Sequence, residues 1–295
     1  MTAGSLVALR MVEKLSPRVI RILGCNARPM TLQGTNSYLV GTGKRRLLID
    51  TSDPDVPAYR KLLNDVLIEN GIHVQEIIAT HHHIDHVGAI GDVMDHVIRG
   101  NSIRISKLGW NDHRNEEIPG RKDLDYTYFN EGDEIKTEGA TLQVIHTPGH
   151  CDDHAAFLLK EEDAIFSGDC ILGQGTGQFD DLYKLLKSLE KIRSFQSKLI
   201  YPGHGPIILD TGAEINEYIE HRKEREKQVL NVMTLANKKP LSTTQLAKMV
   251  YQGVPESLMK AAESNLVLTL NKMVIEKTVA KIEVDKQEIK WVIAK

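Results

Sequence analysis

The chain has 295 residues, of which 41% are hydrophobic and 26% charged, with a formal net charge of −3 at pH 7. This balance is typical of a soluble globular protein of two domains and excludes a disordered chain, while no apolar stretch is long enough for a membrane span, so no membrane association is expected. Three widely spaced cysteines do not make a disulfide framework, which favours a reducing intracellular compartment.

Short β-rich runs alternate with amphipathic segments along the first two hundred residues. Strands are predicted at residues 19–23, 37–40, 46–50, 76–80, 141–145, 155–159, 164–166 and 199–201. Helices are predicted at 59–69 and at 181–195, where leucine and isoleucine recur at three- and four-residue spacing. This alternation indicates an α/β fold in which helices cover the outer faces of sheets.

The composition changes near residue 213, where one long charged helix is predicted over 214–235. A second helix opens at Ser242, which is a good N-cap, and a third begins at Pro255. Two short runs follow, 279–284 and 288–293, joined by residues 285–287. Two helices and a hairpin predict a small winged-helix-like unit, so we divide the chain into residues 1–212 and 213–295.

The C-terminal region is basic although the whole chain is slightly acidic. The last 75 residues carry 14 Lys and Arg against 8 Asp and Glu, whereas the preceding 220 carry 23 and 32. A basic domain attached to an acidic one suggests a nucleic-acid partner. The alternative is that these lysines only solubilise a small helical domain.

Four potential metal ligands, His81, His83, Asp85 and His86, lie within six residues in the run Thr80-His81-His82-His83-Ile84-Asp85-His86, just after the strand predicted at 76–80. Side chains two apart on an extended chain share a face, so His81 and His83 can hold one metal ion. If the chain then turns into a helix, Asp85 and His86 point towards a second metal position. Imidazole and carboxylate ligands suit zinc, although iron and manganese accept similar sets.

Three further candidate ligands follow predicted strands and glycine turns, namely His150, Asp169 and His204. Each of them alone could equally be a hydrogen-bonded turn residue. Together with the first cluster, they predict a site for two metal ions.

The ordered motif HxHxDH, later His, later Asp and final His resembles the metallo-β-lactamase superfamily over about residues 15–210. The resemblance implies an αββα sandwich and two zinc ions. It assigns His81, His83 and His150 to one ion, Asp85, His86 and His204 to the other, and Asp169 to both. It also implies that Asp50 steadies the ligand loop. In the hydrolysis that we expect at this site, Asp85 is a candidate catalytic residue that orients the attacking hydroxide.

Longer segments are similar to the glyoxalase II-like group, and within it to animal mitochondrial endoribonucleases. They are residues 30–40, 136–142, 165–173 and 181–183, and the similarity continues through the winged-helix tail. This resemblance implies a mitochondrial matrix location, for which Arg10 in an acid-free N-terminus is a faint hint; the residues alone also allow the cytosol. His82 stands where an aromatic residue is more usual, and Cys151 where Thr or Ser is.

Several polar residues near the motifs have two readings. Asn36 and His154 are candidates for substrate contact, but Asn36 also suits a turn and His154 a structural hydrogen bond. His82 is a spare ligand or, because of its alternation along the chain, a structural residue. Cys170 follows Asp169 directly and is expected to be a small buried residue.

The hypothesis that follows is hydrolysis of phosphodiester bonds in single-stranded RNA by a hydroxide held between two zinc ions. The basic tail would hold RNA phosphates, and the protein could form a homo-oligomer. A glyoxalase II-like thioester hydrolase or a lactonase could use the same site. A non-catalytic RNA-binding protein is a further alternative, against which the complete ligand set argues.

Overall fold

A seven-stranded sheet forms one half of the N-terminal domain in the computed structural model, which describes residues 6–99, 103–110, 116–237, 239–284 and 288–294. Its strands follow each other in chain order: β1 (Val12–Lys14), β2 (Val19–Leu23), β3 (Asn36–Val40), β4 (Arg45–Ile49), β5 (His73–Ile78), β6 (Arg104–Leu108) and β7 (Thr127–Phe129). The first four pair antiparallel, whereas β4 to β7 pair in parallel.

A five-stranded sheet packs against the first. It contains β8 (Glu134–Thr137), β9 (Ala140–His146), β10 (Ala155–Leu159), β11 (Ala164–Gly168) and β12 (Leu199–Pro202), again in chain order. Its last pair, β11 and β12, is parallel, and the other three pairs are antiparallel. Strand β11 is buried along its whole length because one face meets the other sheet and the opposite face meets helices.

Helices cover both outer faces of this pair of sheets. They are α1 (Pro57–Asn70), α2 (Ile84–Val87), α3 (Ile90–Val93), a short π-helix (Met94–Ile98), α4 (Leu182–Ser194) and α5 (Thr211–Leu235). Helix α1 begins at a proline, and its C-terminal end is capped by Gly71, whose φ of +60° suits a residue without a Cβ. One apolar core lies between the sheets and one lies under each helical layer. The predicted αββα sandwich is therefore confirmed.

The C-terminal region has its own small core, in which Trp291 and Leu246 are buried. It contains β13 (Leu241–Ser242), α6 (Thr243–Val250), α7 (Glu256–Ile275), β14 (Val279–Val284) and β15 (Glu288–Ile293). Ser242 and Gln245 form a capping box at the start of α6. The predicted winged-helix-like layout is confirmed, although its hairpin turn, residues 285–287, lies outside the described residues. The domain boundary at residue 213 falls in the first turn of α5 and stays a prediction.

Among the described residues, no helix combines the length and the apolar character that crossing a bilayer requires.

Candidate metal centre

Strand ends from both sheets meet at one edge of the sandwich and carry the seven predicted ligands. His81 and His83 follow β5, and the chain then enters α2 with Asp85 and His86 in its first turn. His83 itself is extended, with φ −62° and ψ 141°, so the predicted change from strand exit to helix occurs at this residue. The other three ligands follow β9, β11 and β12 and come from the second sheet: His150, Asp169 and His204.

The first donor set consists of His81, His83 and His150. The His150 Nε2 atom lies 2.8 Å from His83 Nδ1 and 3.2 Å from His81 Nε2. Two ligands on a tetrahedral zinc ion, each at about 2.0–2.1 Å from it, are separated by roughly 3.3 Å. The three imidazole nitrogens therefore converge as ligands of one ion would.

The second donor set consists of Asp85, His86 and His204. The two ring Nε2 atoms are 3.3 Å apart, and Asp85 Oδ2 lies 3.3 Å from His204 Nε2 and 3.6 Å from His86 Nε2. Both histidines are essentially buried. This set also has the spacing that ligands around one ion have.

Asp169 joins the two sets through its two carboxylate oxygens. Its Oδ1 lies 3.4 Å from the Nε2 atoms of both His86 and His204, and its Oδ2 lies 3.7 Å from His150 Nε2. Oδ1 is buried and accepts no hydrogen bond of regular geometry within the described parts of the chain. A buried carboxylate oxygen without such a donor is costly unless a cation offsets it. The donor set therefore fits metal binding. A glycine is needed at position 203, because a Cβ there would lie 2.4 Å from Asp169 Oδ1.

The two donor sets differ in their affinity for protons. Burial is the main cause that lowers the pKa of His81 and His83, in His83 to about 4, and neighbouring imidazoles lower it further. Burial is the largest influence on His86 and His204 and opposes their protonation, but nearby carboxylates together raise both pKa values: Asp169 and Asp50 at His86, and Asp169 and Asp85 at His204, whose pKa rises to about 9. Without metal, His81 and His83 are therefore neutral near pH 7, whereas His86 and His204 hold protons.

In three of the ligand histidines, a hydrogen bond at Nδ1 fixes which ring nitrogen faces the donor sets. His81 Nδ1 pairs with Thr80 Oγ1 at 2.9 Å, and His150 Nδ1 with the Gln178 carbonyl at 2.8 Å. His204 Nδ1 lies 3.3 Å from the Gly34 carbonyl. These contacts leave Nε2 of all three rings as the atom that faces the donor sets.

Asp50 lies behind the ligand loop and is buried. Its Oδ1 accepts a hydrogen bond from the Thr80 amide at 2.8 Å, while its Oδ2 lies 2.9 Å from Thr80 Oγ1 and 2.8 Å from His86 Nδ1. The residue has a φ of +56°, which is uncommon outside glycine but is tolerated by aspartate. Asp50 therefore contacts both the start of the loop and a candidate ligand in α2.

The structure favours the structural alternatives for Asn36 and His154, a turn residue and a hydrogen-bonding residue, because both side chains are fully buried. The Asn36 amide donates to the carbonyls of Pro202 and Gly205 and so holds the turn that carries His204. His154 Nδ1 pairs with Thr147 Oγ1, and its Nε2 accepts a hydrogen bond from the Asp169 amide at 3.0 Å. Both residues support ligand loops from beneath.

A buried ion pair next to the first donor set was missed by the sequence analysis. Lys107 and Asp153 are both fully buried, with Nζ 2.8 Å from Oδ2. Asp153 Oδ1 lies 2.8 Å from His82 Nδ1 and accepts a hydrogen bond from the Cys151 thiol at 3.1 Å. His82 thus contacts Asp153, as its structural reading requires, and the two unusual residues His82 and Cys151 meet at one carboxylate. Lys107 gave no signal in the sequence because nothing marks a strand lysine as buried.

A cleft of about 480 Å³ opens over the donor sets. Its lining includes Arg28, Met30 and the glycine-rich segment 174–180. The candidate ligands His83, Asp85, His150 and Asp169 also line it. Cys170, by contrast, is buried among apolar residues, as expected. A substrate in this cleft would contact both donor sets.

Comparison with family models matches the Metallo-beta-lactamase superfamily over residues 30–204 and the Beta-lactamase associated winged helix domain over residues 242–291. The crystal structure of a beta-lactamase domain protein from Burkholderia ambifaria has a TM-score of 0.78 at 19% identity, covering 96% of this chain and 93% of that one. At this identity the likeness supports the fold alone.

Curated relatives are similar over most of their length. The Beta-lactamase-like protein 2 homologs of Caenorhabditis elegans and Drosophila melanogaster are 41% and 43% identical, over 91% and 89% of this chain and 88% and 89% of their own. The Atrochrysone carboxyl ACP thioesterase of Emericella nidulans is 36% identical over 85% of this chain and 76% of its own.

Proposed function

Because the chain belongs to the metallo-β-lactamase superfamily, whose members are generally metal-dependent hydrolases, we propose that it is a zinc-dependent endoribonuclease acting on single-stranded RNA. The observation that carries this proposal is the joining of two donor sets by Asp169 beneath an open cleft, in a chain with a basic C-terminal domain. Phosphodiester hydrolysis needs charge stabilisation on both the attacking and the leaving oxygen.

The seven candidate ligands suit two zinc ions. His81, His83 and His150 would hold one, Asp85, His86 and His204 the other, with Asp169 as ligand to both. When bound, two such ions lower the pKa of water and stabilise the charge that develops during in-line displacement.

Asp85 is the residue that we propose as catalytic beyond its role as a ligand. It lines the cleft, and although burial opposes ionisation, His204 and His86 hold the pKa of its carboxyl below the usual range. Its carboxylate is therefore ionised at neutral pH and can accept a hydrogen bond from the attacking water. That contact would orient the water towards the scissile phosphorus.

The C-terminal domain supplies exposed cations for a polyanionic substrate. Exposed lysines lie before β13, on α6 and α7, in the turn after α7 and on β14: Lys239, Lys248, Lys260, Lys277 and Lys281. We propose that they bind RNA phosphates, an interaction that weakens steeply with salt. A cleft of about 480 Å³ over buried ligands favours an unpaired strand, which can reach the ligands without opening a duplex.

The proposal is tested with the full chain, its metal content and a labelled single-stranded 12-mer RNA. We expect zinc-loaded protein to cleave internally, and activity to be lost on chelation and in Asp169→Ala. Asp65→Ala, on the exposed surface of α1, is the matched control and should cleave like the wild type. Intact RNA with fully zinc-loaded protein would refute the proposal.

Thioester hydrolysis is the second candidate function, which the similarity to the Emericella nidulans thioesterase favours. The same donor sets could polarise a carbonyl instead of a phosphoryl group. Turnover of a glutathione thioester by the zinc-loaded chain, with RNA left intact, would favour this function. A lactone substrate assayed in parallel distinguishes the lactonase alternative. RNA bound tightly but never cleaved would instead indicate a non-catalytic binding protein.

Two further proposals concern the cell and the assembly state. We propose a mitochondrial matrix location, which fractionation of cells expressing the tagged full chain would test; a purely cytosolic signal would refute it. We also propose a homo-oligomer, for which the test is light scattering at micromolar concentration. A mass near 33.1 kDa would contradict it.

A further inference from the structure

An exposed tryptophan lies at the same edge of the sandwich as the metal centre. The chain has two tryptophans. Trp291 is 2% exposed and donates a hydrogen bond to Thr243, whereas Trp110 is 39% exposed. Trp110 follows β6, which pairs in parallel with β5, the strand that leads into the ligand loop. Carboxyl ends of adjacent parallel strands lie about 5 Å apart at one edge of a sheet, so Trp110 lies beside that loop.

The indole of Trp110 rests on an imidazole from the other sheet. The ring centroids of Trp110 and His146 are 4.1 Å apart, with an angle of 42° between the planes. His146 ends β9, and its Nε2 lies 2.9 Å from the Asp152 carbonyl, in the turn that also carries His150. Burial lowers the pKa of His146, so the supporting ring is neutral near pH 7. The pair is thereby fixed to a ligand-bearing turn.

Two cations that the structure describes near the Trp110–His146 pair are already in ion pairs. The nearby Lys184 is paired with Asp152 at 2.6 Å, and Lys191 is paired with Glu131 at 2.9 Å. A phosphate would find these cations already neutralised. What Trp110 offers is a flat aromatic surface, and every nucleobase has a face that stacks on such a surface.

We propose that Trp110, supported by His146, stacks on an unpaired base of the substrate strand. This inference rests on the proposed function. Arg28 and Met30 line the cleft that contains the candidate ligands, and Trp110 would add a contact for the strand beyond that cleft, next to the ligand loop. Single-stranded RNA fits because its bases are free to leave their stack, whereas a duplex keeps both faces of each base covered.

Binding is measured on the full chain under chelation, which keeps the RNA intact. Fluorescein-labelled oligo(rA) and oligo(rU) 12-mers report affinity by anisotropy. Trp110→Ala should weaken binding roughly five- to 150-fold, the range for loss of one base–aromatic stack. Trp110→Phe should retain most of the affinity. Ile68→Ala removes a 71% exposed apolar side chain from α1 and is the matched control, which should bind like the wild type.

Intrinsic fluorescence gives an independent readout because Trp291 is buried. RNA should quench the emission of the wild type, and this quenching should disappear in Trp110→Phe while anisotropy still shows binding. Since stacking is not ionic, the ratio of wild-type to Trp110→Ala affinity should stay constant between low and high salt. In steady-state cleavage, Trp110→Ala should raise KM more than it lowers kcat.

The outcomes separate this inference from the proposed function. If wild type and Trp110→Ala bind equally and both cleave RNA, stacking is refuted and the endoribonuclease proposal stands. If the wild type neither binds nor cleaves RNA, both are refuted. Equal binding of a duplex and a single strand would also overturn the stacking role.

Discussion

Removing the charge of Lys107 tests whether the buried ion pair stabilises the first donor set. Lys107→Met removes the ammonium that lies 2.8 Å from the fully buried Asp153 carboxylate and that also pairs with Glu116, while Asp153 keeps its contacts with His82 and Cys151. Breaking a buried pair from one side costs about 3–5 kcal/mol, because a buried charge loses its counter-charge. We expect a loss of that size in the free energy of unfolding of the metal-free protein.

Urea unfolding, followed by far-UV circular dichroism, measures the loss. The double variant Lys107→Met with Asp153→Asn removes both charges and should recover part of it, which a double-mutant cycle quantifies. Lys61→Met, at an exposed pair on α1, is the control and should leave the unfolding midpoint unchanged.

The same pair should also affect metal binding. Asp153 contacts His82 and Cys151, which adjoin three candidate ligands in the chain. Loss of partners that support ligands typically lowers metal affinity 10–100-fold. We expect that reduction in Asp153→Asn, measured by competition with a chromophoric zinc chelator. A change below 1 kcal/mol in Lys107→Met, or unchanged zinc affinity in a folded Asp153→Asn, would refute the reasoning.

Three further predictions concern pH, Asp50 and Ser242. The pKa of His204 in the folded protein is raised to about 9, so a metal ion at the second donor set must displace a proton at neutral pH. The apparent metal affinity of the second set should therefore rise with pH up to about 9, whereas that of the first set should fall only as pH drops towards the His83 pKa of about 4. Zinc titrations that do not change between pH 6 and 9 would contradict this scheme. Protonated His204 should also stabilise the metal-free fold, fully below its unfolded pKa near 6.5, and this contribution is lost as pH rises through 9. Asp50→Asn should lower zinc affinity about 10–100-fold with little change in secondary structure, checked by the same chelator competition. Ser242→Ala removes the capping box of α6 and should cost about 1 kcal/mol in thermal or urea unfolding of the C-terminal region, while zinc affinity stays at the wild-type value.

Local patterns were enough to predict most elements and the ligand types. The leucine spacing predicted α4 within one residue at each end, because a helix facing an apolar core repeats every three to four residues. The ligand spacing was read as a strand exit followed by a helix, because side chains two apart share a face on an extended chain, and the structure places that change at His83. The basic composition and the N-cap at Ser242 likewise indicated a separate C-terminal unit from the sequence alone.

Tertiary structure decided which polar residues lie at the surface of the site and which support it from beneath. Asn36 and His154 were candidates for substrate contact in the sequence, yet both are buried. Asn36 contacts the turn that carries His204, which is distant in the chain, and His154 contacts Asp169 at the end of the neighbouring strand β11. Lys107 lies in β6 and Trp110 directly follows it, whereas His146 ends β9 and Asp153 lies in the turn after it. The two pairs meet only because these elements belong to facing sheets. Burial depends on what packs against a residue from elsewhere in the chain, and one sequence read locally carries no record of that packing.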